Sequence, residues 1–180
     1  MPRVLTDAQR DKLVNTPSCK TRQGKRDRAL LAILAYGGLR IAEACSLRRE
    51  DITMEDGQMR LTFTGKKGHA RTVSLPRRAV SEVVSSLATH TSAFVFPGRD
   101  GPLGVRAGRY VVMAHAKAAG LPEWVHPHTL RHTYGSSVQR ALGDLFLTAR
   151  VLGHRSVKTT ADYYLAFDSK YADRAAGVFK

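Results

Sequence analysis

Gln58-Met59-Arg60-Leu61-Thr62-Phe63-Thr64, then Gly65-Lys66-Lys67-Gly68-His69-Ala70, then Arg71-Thr72-Val73-Ser74-Leu75 is the stretch that sets the fold class of this chain. The outer segments read as two strands, and the glycine-flanked basic segment between them reads as the loop of an antiparallel hairpin that Pro76 closes. Apart from a short extended piece at Phe94-Val95-Phe96-Pro97, the apolar patterns on either side are helical. The prediction is therefore a mainly α fold with one small antiparallel β-sheet, of the α+β class.

On the N-terminal side, residues 39–47 are a predicted helix with Ile41, Ala44 and Cys45 on one stripe. Arg40 and Glu43, at i and i+3, share a different face. Gly37-Gly38 ends the preceding helix, residues 27–36, which Leu30, Leu31, Ile33 and Leu34 make apolar nearly all round and hence buried. A polar segment, 16–24, separates it from a first helix that Thr6 caps, with Gln9 in the capping-box position ahead of Leu13 and Val14. On the C-terminal side, residues 79–87 and 106–119 are helical and a turn-rich connector covers 98–104. Pro127 stands at the first position of a helix running to Leu142, and Gly143 with Asp144 breaks it before another at 145–152. Ser156 is a good cap for a last helix at 157–167. With no internal repeat and no low-complexity linker, one domain is expected over 1–180.

A length of 180 residues with 43% hydrophobic content is enough for one well-cored domain and excludes a disordered tail. Lys and Arg number 29 against 15 Asp and Glu, a net charge of +14. That excess suits counterion-releasing contacts with a polyphosphate backbone, so nucleic acid is the predicted partner. Charge alone leaves a ribosomal-type structural protein or a basic membrane-surface protein open. Cys19 and Cys45 are too few for a disulfide framework or a four-cysteine zinc site, which fits a reducing cytosol. No apolar run reaches the ~18 residues needed to span a bilayer, and the first residues lack the apolar core of a signal peptide. The expected location is cytoplasmic, with no membrane partner.

Several residues have the chemistry of a phosphoryl-transfer site. At ~100° per residue, Val157, Ala161, Tyr164 and Leu165 fall on one apolar stripe of the last helix and Tyr163 points about 100° away from Tyr164. Tyr164 therefore reads as core and Tyr163 as free to react, although either alone is an ordinary half-buried aromatic. His128 and Arg131 lie three apart at a helix start, where unpaired amides and the dipole favour an anion. His126, His128 and His132 cluster, and His128 with His132 has the spacing of a zinc pair. The intervening Thr129-Leu130-Arg131 supplies no Glu base and sets a cation beside the would-be ion, so phosphate is favoured and neither a metal nor any other cofactor is predicted. His126 and His132 read as structural, and His69, His90 and His115 receive no role. Arg40 alone is a solvated helix-start arginine, yet a paired Glu43 can hold its guanidinium while leaving donors for phosphate oxygens. Lys66 and Lys67 alone are a basic loop tip, and Gly153-His154 alone an ordinary helix end.

Taken in order, Gly38-Leu39-Arg40-Ile41-Ala42-Glu43, Gly65-Lys66-Lys67-Gly68, His128-Thr129-Leu130-Arg131, Leu152-Gly153-His154 and Tyr163 resemble the catalytic domain of the tyrosine recombinase, or phage integrase, family, over about residues 5–171. Arg48-Arg49-Glu50-Asp51-Ile52 and Arg71-Thr72-Val73-Ser74-Leu75-Pro76 look like that family's connecting segments. The resemblance implies a site-specific DNA recombinase. Tyr163 would attack a phosphodiester to give a 3′-phosphotyrosine and a free 5′-hydroxyl, and strands would be exchanged through a Holliday junction without metal or ATP. Arg40, Arg131 and His154 would clamp the phosphate, Lys66 would protonate the leaving 5′-oxygen, and His128 would accept or shuttle the tyrosine proton. Glu43 would orient Arg40, and Lys67, Arg71, Arg155 and Lys158 would be further DNA contacts. The implied partners are double-stranded DNA, further copies of the chain in a tetrameric synapse (a monomer when free), and accessory DNA-bending proteins, at the nucleoid.

Family members usually carry a helical DNA-clamping domain ahead of the catalytic one, and few residues precede Leu5. A single catalytic domain lacking the N-terminal core-binding domain is therefore expected, either a catalytic fragment or a short recombinase that binds with one domain, the latter with weaker, more salt-sensitive binding than a clamp gives. Leu165, Phe167 and Phe179 are candidates for docking on a neighbouring subunit. Two rivals share these residues: type IB topoisomerase-like relaxation, and a decayed, DNA-binding integrase remnant.

Overall fold

The computed structural model of the protein describes residues 3–64 and 70–153. Helix α1 (Asp7–Asn15) opens with the expected capping box: the Gln9 N–H donates to Thr6 Oγ1 (3.2 Å) and the Thr6 N–H to Gln9 Oε1 (2.9 Å). Helix α2 (Arg22–Gly37) begins earlier than its apolar run suggests. Thr21 caps it by accepting from the Gly24 N–H at 3.0 Å, so the polar segment contains the first turn of the helix. From Ala29 to Ala35 no residue exposes more than 1% of its surface, and α2 packs against α1 and most of the later helices. An all-round apolar helix at the centre of the fold is the outcome its sequence requires.

Helix α3 (Ile41–Ser46) is shorter than the reading of 39–47, because Arg40 adopts an extended conformation at the N-cap. A 3₁₀ turn (Arg49–Asp51) leads into a strand the sequence reading did not find, β1 (Ile52–Glu55), most of which faces solvent and so shows no apolar alternation. It pairs antiparallel with β2 (Gln58–Thr64), Ile52 opposite Leu61 and Glu55 opposite Gln58. Asp56-Gly57 joins them with φ of 52° and 73°, as in a type I′ turn, and an Asp-Gly pair was the available signal. β2 pairs in turn with β3 (Ala70–Ser74), Leu61 opposite Val73 and Phe63 opposite Arg71. Among the described residues the sheet thus has three strands, in the order β1-β2-β3.

Helix α4 (Arg77–Leu87) seats Ala79 and Val83 against α2. The extended piece bridges Phe94 to Arg48 and Pro97 to Pro102, with Val95 and Phe96 fully buried. Helix α5 (Val105–Ala118) crosses α3 closely: a Cβ at Gly108 would lie 2.7 Å from Cys45 Sγ. Helix α6 (Pro127–Leu142) has Pro127 in its first turn and ends at Gly143 (φ 66°). Asp144 Oδ1 then accepts from the Phe146 and Leu147 N–H groups to start α7 (Leu145–Leu152). The helix expected at 157–167, with Ser156, Tyr164, Leu165, Phe167 and Phe179, lies outside the described residues. Among those described, no helix is long and apolar enough to cross a membrane.

Candidate active site

Arg40, at the N-cap of α3, projects a side chain that is 45% exposed. Its Nη1 donates to Glu43 Oε1 (2.9 Å), its N–H to Glu43 Oε2 (2.8 Å) and its Nη2 to the Gly153 carbonyl (3.4 Å). Glu43 thus binds both the backbone and the side chain of Arg40, the i, i+3 pairing expected of them. Burial pushes the Glu43 carboxyl upward, but the Arg40 N–H and the charges of Arg71 and Arg40 outweigh it and hold the carboxyl below its ordinary range.

Arg131, on α6, is 5% exposed. Its Nη1 donates to the Gly38 carbonyl at 2.6 Å, and its Nη2 donates to the Leu152 carbonyl. Gly38 sits at φ 64°, and the Tyr134 ring lies so close that a Cβ there would be 2.1 Å from Tyr134 Cδ1. Burial pushes the Tyr134 hydroxyl pKa up, against the nearby charges of Arg71 and Arg131.

Arg71, on β3, was expected to be a DNA contact. The fold turns it inward, its side chain 15% exposed, with Nη1 donating to the Leu152 carbonyl (2.7 Å) and Nη2 lying 3.7 Å from Glu43 Oε2. Its guanidinium carbon stands 5.8 Å from the centre of the Phe63 ring. Burial pulls its pKa down, countered by Glu43 and reinforced by Arg40. Three guanidiniums therefore meet the carbonyl end of α7, where the helix dipole favours cations.

His128 lies in the first turn of α6. Partial burial pushes its pKa down, and the fields of His126, Arg131, Arg109 and Arg40 act in the same direction, so a neutral imidazole is favoured at neutral pH. Its ring centre is 6.3 Å from that of His126 and 6.2 Å from that of His132, whose pKa burial also lowers. His115, given no role, pairs with the buried Asp27 at 3.2 Å. Among the described residues no three His, Cys, Asp or Glu side chains group as metal ligands. A cleft of about 170 Å³ opens between α3 and α6, lined by Leu39, Arg40, Ile41, Ala42, Pro127, His128 and Arg131.

Of the predicted site residues, the fold brings Arg40, Glu43, Arg71, His128 and Arg131 together. Lys66, Lys67, His154, Arg155, Lys158 and Tyr163 lie outside the described residues. The Leu152 carbonyl, the inward role of Arg71 and the Tyr134 ring against Gly38 were missed, since no local pattern marks them. A cleft with an exposed, pre-oriented arginine, a neutral imidazole and a second guanidinium beneath can bind a phosphate diester and accept a proton at its edge.

The sequence profile of the phage integrase family matches residues 3–170. The chain is 33% identical over 178 residues to tyrosine recombinase XerC of Xylella fastidiosa (strain M23), covering 97% of this chain and 59% of the relative. It is 35% identical over 171 residues to XerC of Xanthomonas campestris pv. campestris (strain B100), covering 91% and 51%. Among solved structures, the XerA recombinase superposes with a TM-score of 0.81 at 28% identity, covering 98% of this chain and 65% of XerA. The XerH site-specific recombinase, bound to difH substrate in a pre-cleavage complex, gives 0.83 at 25%, covering 99% and 55%. The chain spans little more than half the length of these XerC relatives. From the matched profile, these relatives and the shared architecture, the chain belongs to the phage integrase family of tyrosine recombinases.

Proposed function

We propose that this chain is the catalytic domain of a site-specific DNA recombinase that cleaves and rejoins strands through a phosphotyrosine link. What supports the reading is that Arg40, His128 and Arg131, distant in sequence, line one cleft beside the end of α7, in a chain of net charge +14. Arg40 and Arg131, with His154, hold the equatorial oxygens of the scissile phosphate, which spreads transition-state charge that fixed cations stabilise. Arginine suits this because it stays charged and binds two oxygens at once.

Tyr163 is the nucleophile, and its oxygen displaces the 5′-oxygen, leaving the DNA 3′-phosphate on the tyrosine. The neutral His128 takes the tyrosine proton and Lys66 gives one to the departing 5′-oxygen. Attack by another strand's 5′-hydroxyl on the phosphotyrosine reverses these steps. Lys67, Arg155 and Lys158 contact the DNA backbone. The domain works as copies assembled on double-stranded DNA, in a tetrameric synapse that bending proteins assist, at the nucleoid.

Nicked suicide duplexes test the reading. The wild-type protein is expected to give a denaturant-stable DNA adduct, and Tyr163→Phe none while still binding DNA. An adduct that survives in Tyr163→Phe would overturn the nucleophile. Supercoil relaxation without junction formation would move the activity to a topoisomerase.

A further inference from the structure

We propose that Arg71 is a positioning residue for strand cleavage: from β3 it fixes the carbonyl end of α7 and the Glu43 carboxylate, and through them sets Arg40 and the point where the chain continues into His154. This rests on the recombinase reading above. Three observations carry it.

The first is the tie itself. Arg71 Nη1 reaches the Leu152 carbonyl across 81 residues of sequence, and that same carbonyl accepts from Arg131. One peptide oxygen thus joins β3, α6 and α7, while the next carbonyl, that of Gly153, accepts from Arg40. Carbonyl dipoles hold the three guanidiniums without cancelling their charge. Arg40, Arg71 and Arg131 against Glu43 leave the cluster a net +2 for an anionic substrate.

The second is a reciprocal fit. Gly153 has φ 66°, and a Cβ built there would lie 2.7 Å from both Cδ and Nη1 of Arg71. Glycine at 153 therefore serves twice, for its backbone conformation and for the space that Arg71 fills.

The third separates a positioning role from a DNA contact. Nε and Nη2 of Arg71 are buried and have no hydrogen-bond partner, so a phosphate on the surface does not reach them. Nη2 faces Glu43 Oε2 at 3.7 Å, beyond hydrogen-bond range, and acts on it through its charge. That charge helps keep Glu43 ionised, and the ionised Glu43 grips Arg40 at two points.

The test compares wild type, Arg71→Ala, Arg71→Lys, Gly153→Ala and the Arg71→Ala/Gly153→Ala double variant, each checked for folding by circular dichroism. The probe is a pool of nicked suicide duplexes with randomised flanks, and adduct formation is followed at saturating DNA. Arg71→Ala is expected to lower the rate by ~10²-fold, as small displacements of catalytic groups do. Its DNA affinity and salt dependence are expected to stay within ~2-fold, so that the loss falls on the cleavage step and not on binding. Arg71→Lys, which keeps the charge and one donor, is expected to recover part of the rate. Gly153→Ala is expected to cost less in the Arg71→Ala background than in wild type.

An unchanged rate with weaker binding and a salt slope lower by ~1 would make Arg71 a phosphate contact and overturn the proposal. Additive costs at 71 and 153, or no recovery of rate in Arg71→Lys, would overturn it as well. A wild-type protein that forms no adduct would overturn the recombinase reading and this inference with it, whereas a wild-type adduct that Arg71→Ala forms equally fast would overturn this inference alone.

Discussion

The buried guanidinium of Arg131 donates to the main-chain carbonyl of Gly38 at 2.6 Å, binding the front of α6 to the turn that delivers Arg40. Because Gly38 also receives the Tyr134 ring from the same helix, the turn is held at two points, and the angle at which Arg40 enters the cleft follows from α6 packing.

That double hold makes Gly38 intolerant of a side chain. Gly38→Ala meets a positive φ and a ring at 2.1 Å, and over-packing alone is expected to cost about 1–3 kcal/mol. At ~2–4 °C per kcal/mol for a domain of this size, thermal unfolding should start several degrees lower. An unchanged midpoint would show that the turn relaxes freely.

Glu43→Gln keeps an acceptor for the Arg40 N–H and removes the charge that steers the guanidinium. DNA binding is expected to hold while the cleavage rate falls by ~10-fold or more in single-turnover assays. The carboxyl of Glu43 is depressed in the folded state. Its stabilising contribution is therefore present above the unfolded value near ~4.3 and is lost as pH falls through the folded one. A wild-type midpoint-versus-pH curve that runs parallel to that of Glu43→Gln all the way through that range would contradict this.

His128 and His132 both have lowered pKa values, so the unfolded chain takes up their protons first. Stability from them is full above about 6.5 and declines as pH falls towards the folded values. A His128→Asn/His132→Asn variant should show a flatter stability–pH curve between neutral and mildly acidic pH, read by denaturant titration. If His128 accepts the tyrosine proton, the acid limb of wild-type cleavage should also lie below 6.5; a limb above it would remove His128 from that role.

The two thiols should behave oppositely. Cys19 is exposed, whereas burial against α5 pushes the Cys45 thiol up to about 11. A maleimide should add once per native chain and twice after denaturation, counted by mass spectrometry; two additions to the native protein would mean that α3 and α5 separate readily.

For Lys66, a substrate with a 5′-bridging phosphorothioate, whose thiolate leaves without protonation, should restore cleavage to Lys66→Ala. Rescue of Lys67→Ala in its place would assign the general acid to Lys67.

Much of the chain was legible because its signals are local. Thr6 with Gln9, Pro127, Gly143 with Asp144, and the strands around the basic loop each act within a few residues, and each stands within a residue or two of where its pattern put it. The errors are local too. Arg22 to Arg26 start α2 without an apolar stripe to betray them, and β1 faces water along most of its length. The order of the motifs also announced the family, since spacing between reactive residues is written in the sequence itself.

What the sequence by itself determined is which elements form and which side chains are chemically able to serve. The tertiary structure alone decided which of those cations line the cleft and which turn inward to the protein. Arg131 and Arg71 meet one carbonyl at Leu152, and Arg131 meets another at Gly38, over separations of 21, 81 and 93 residues. A contact of that range depends on the path of every element between, and no periodicity in the chain encodes it. Burial then does the rest, for a guanidinium drawn out of water must find carbonyl or carboxylate oxygen, and here the end of α7 supplies it.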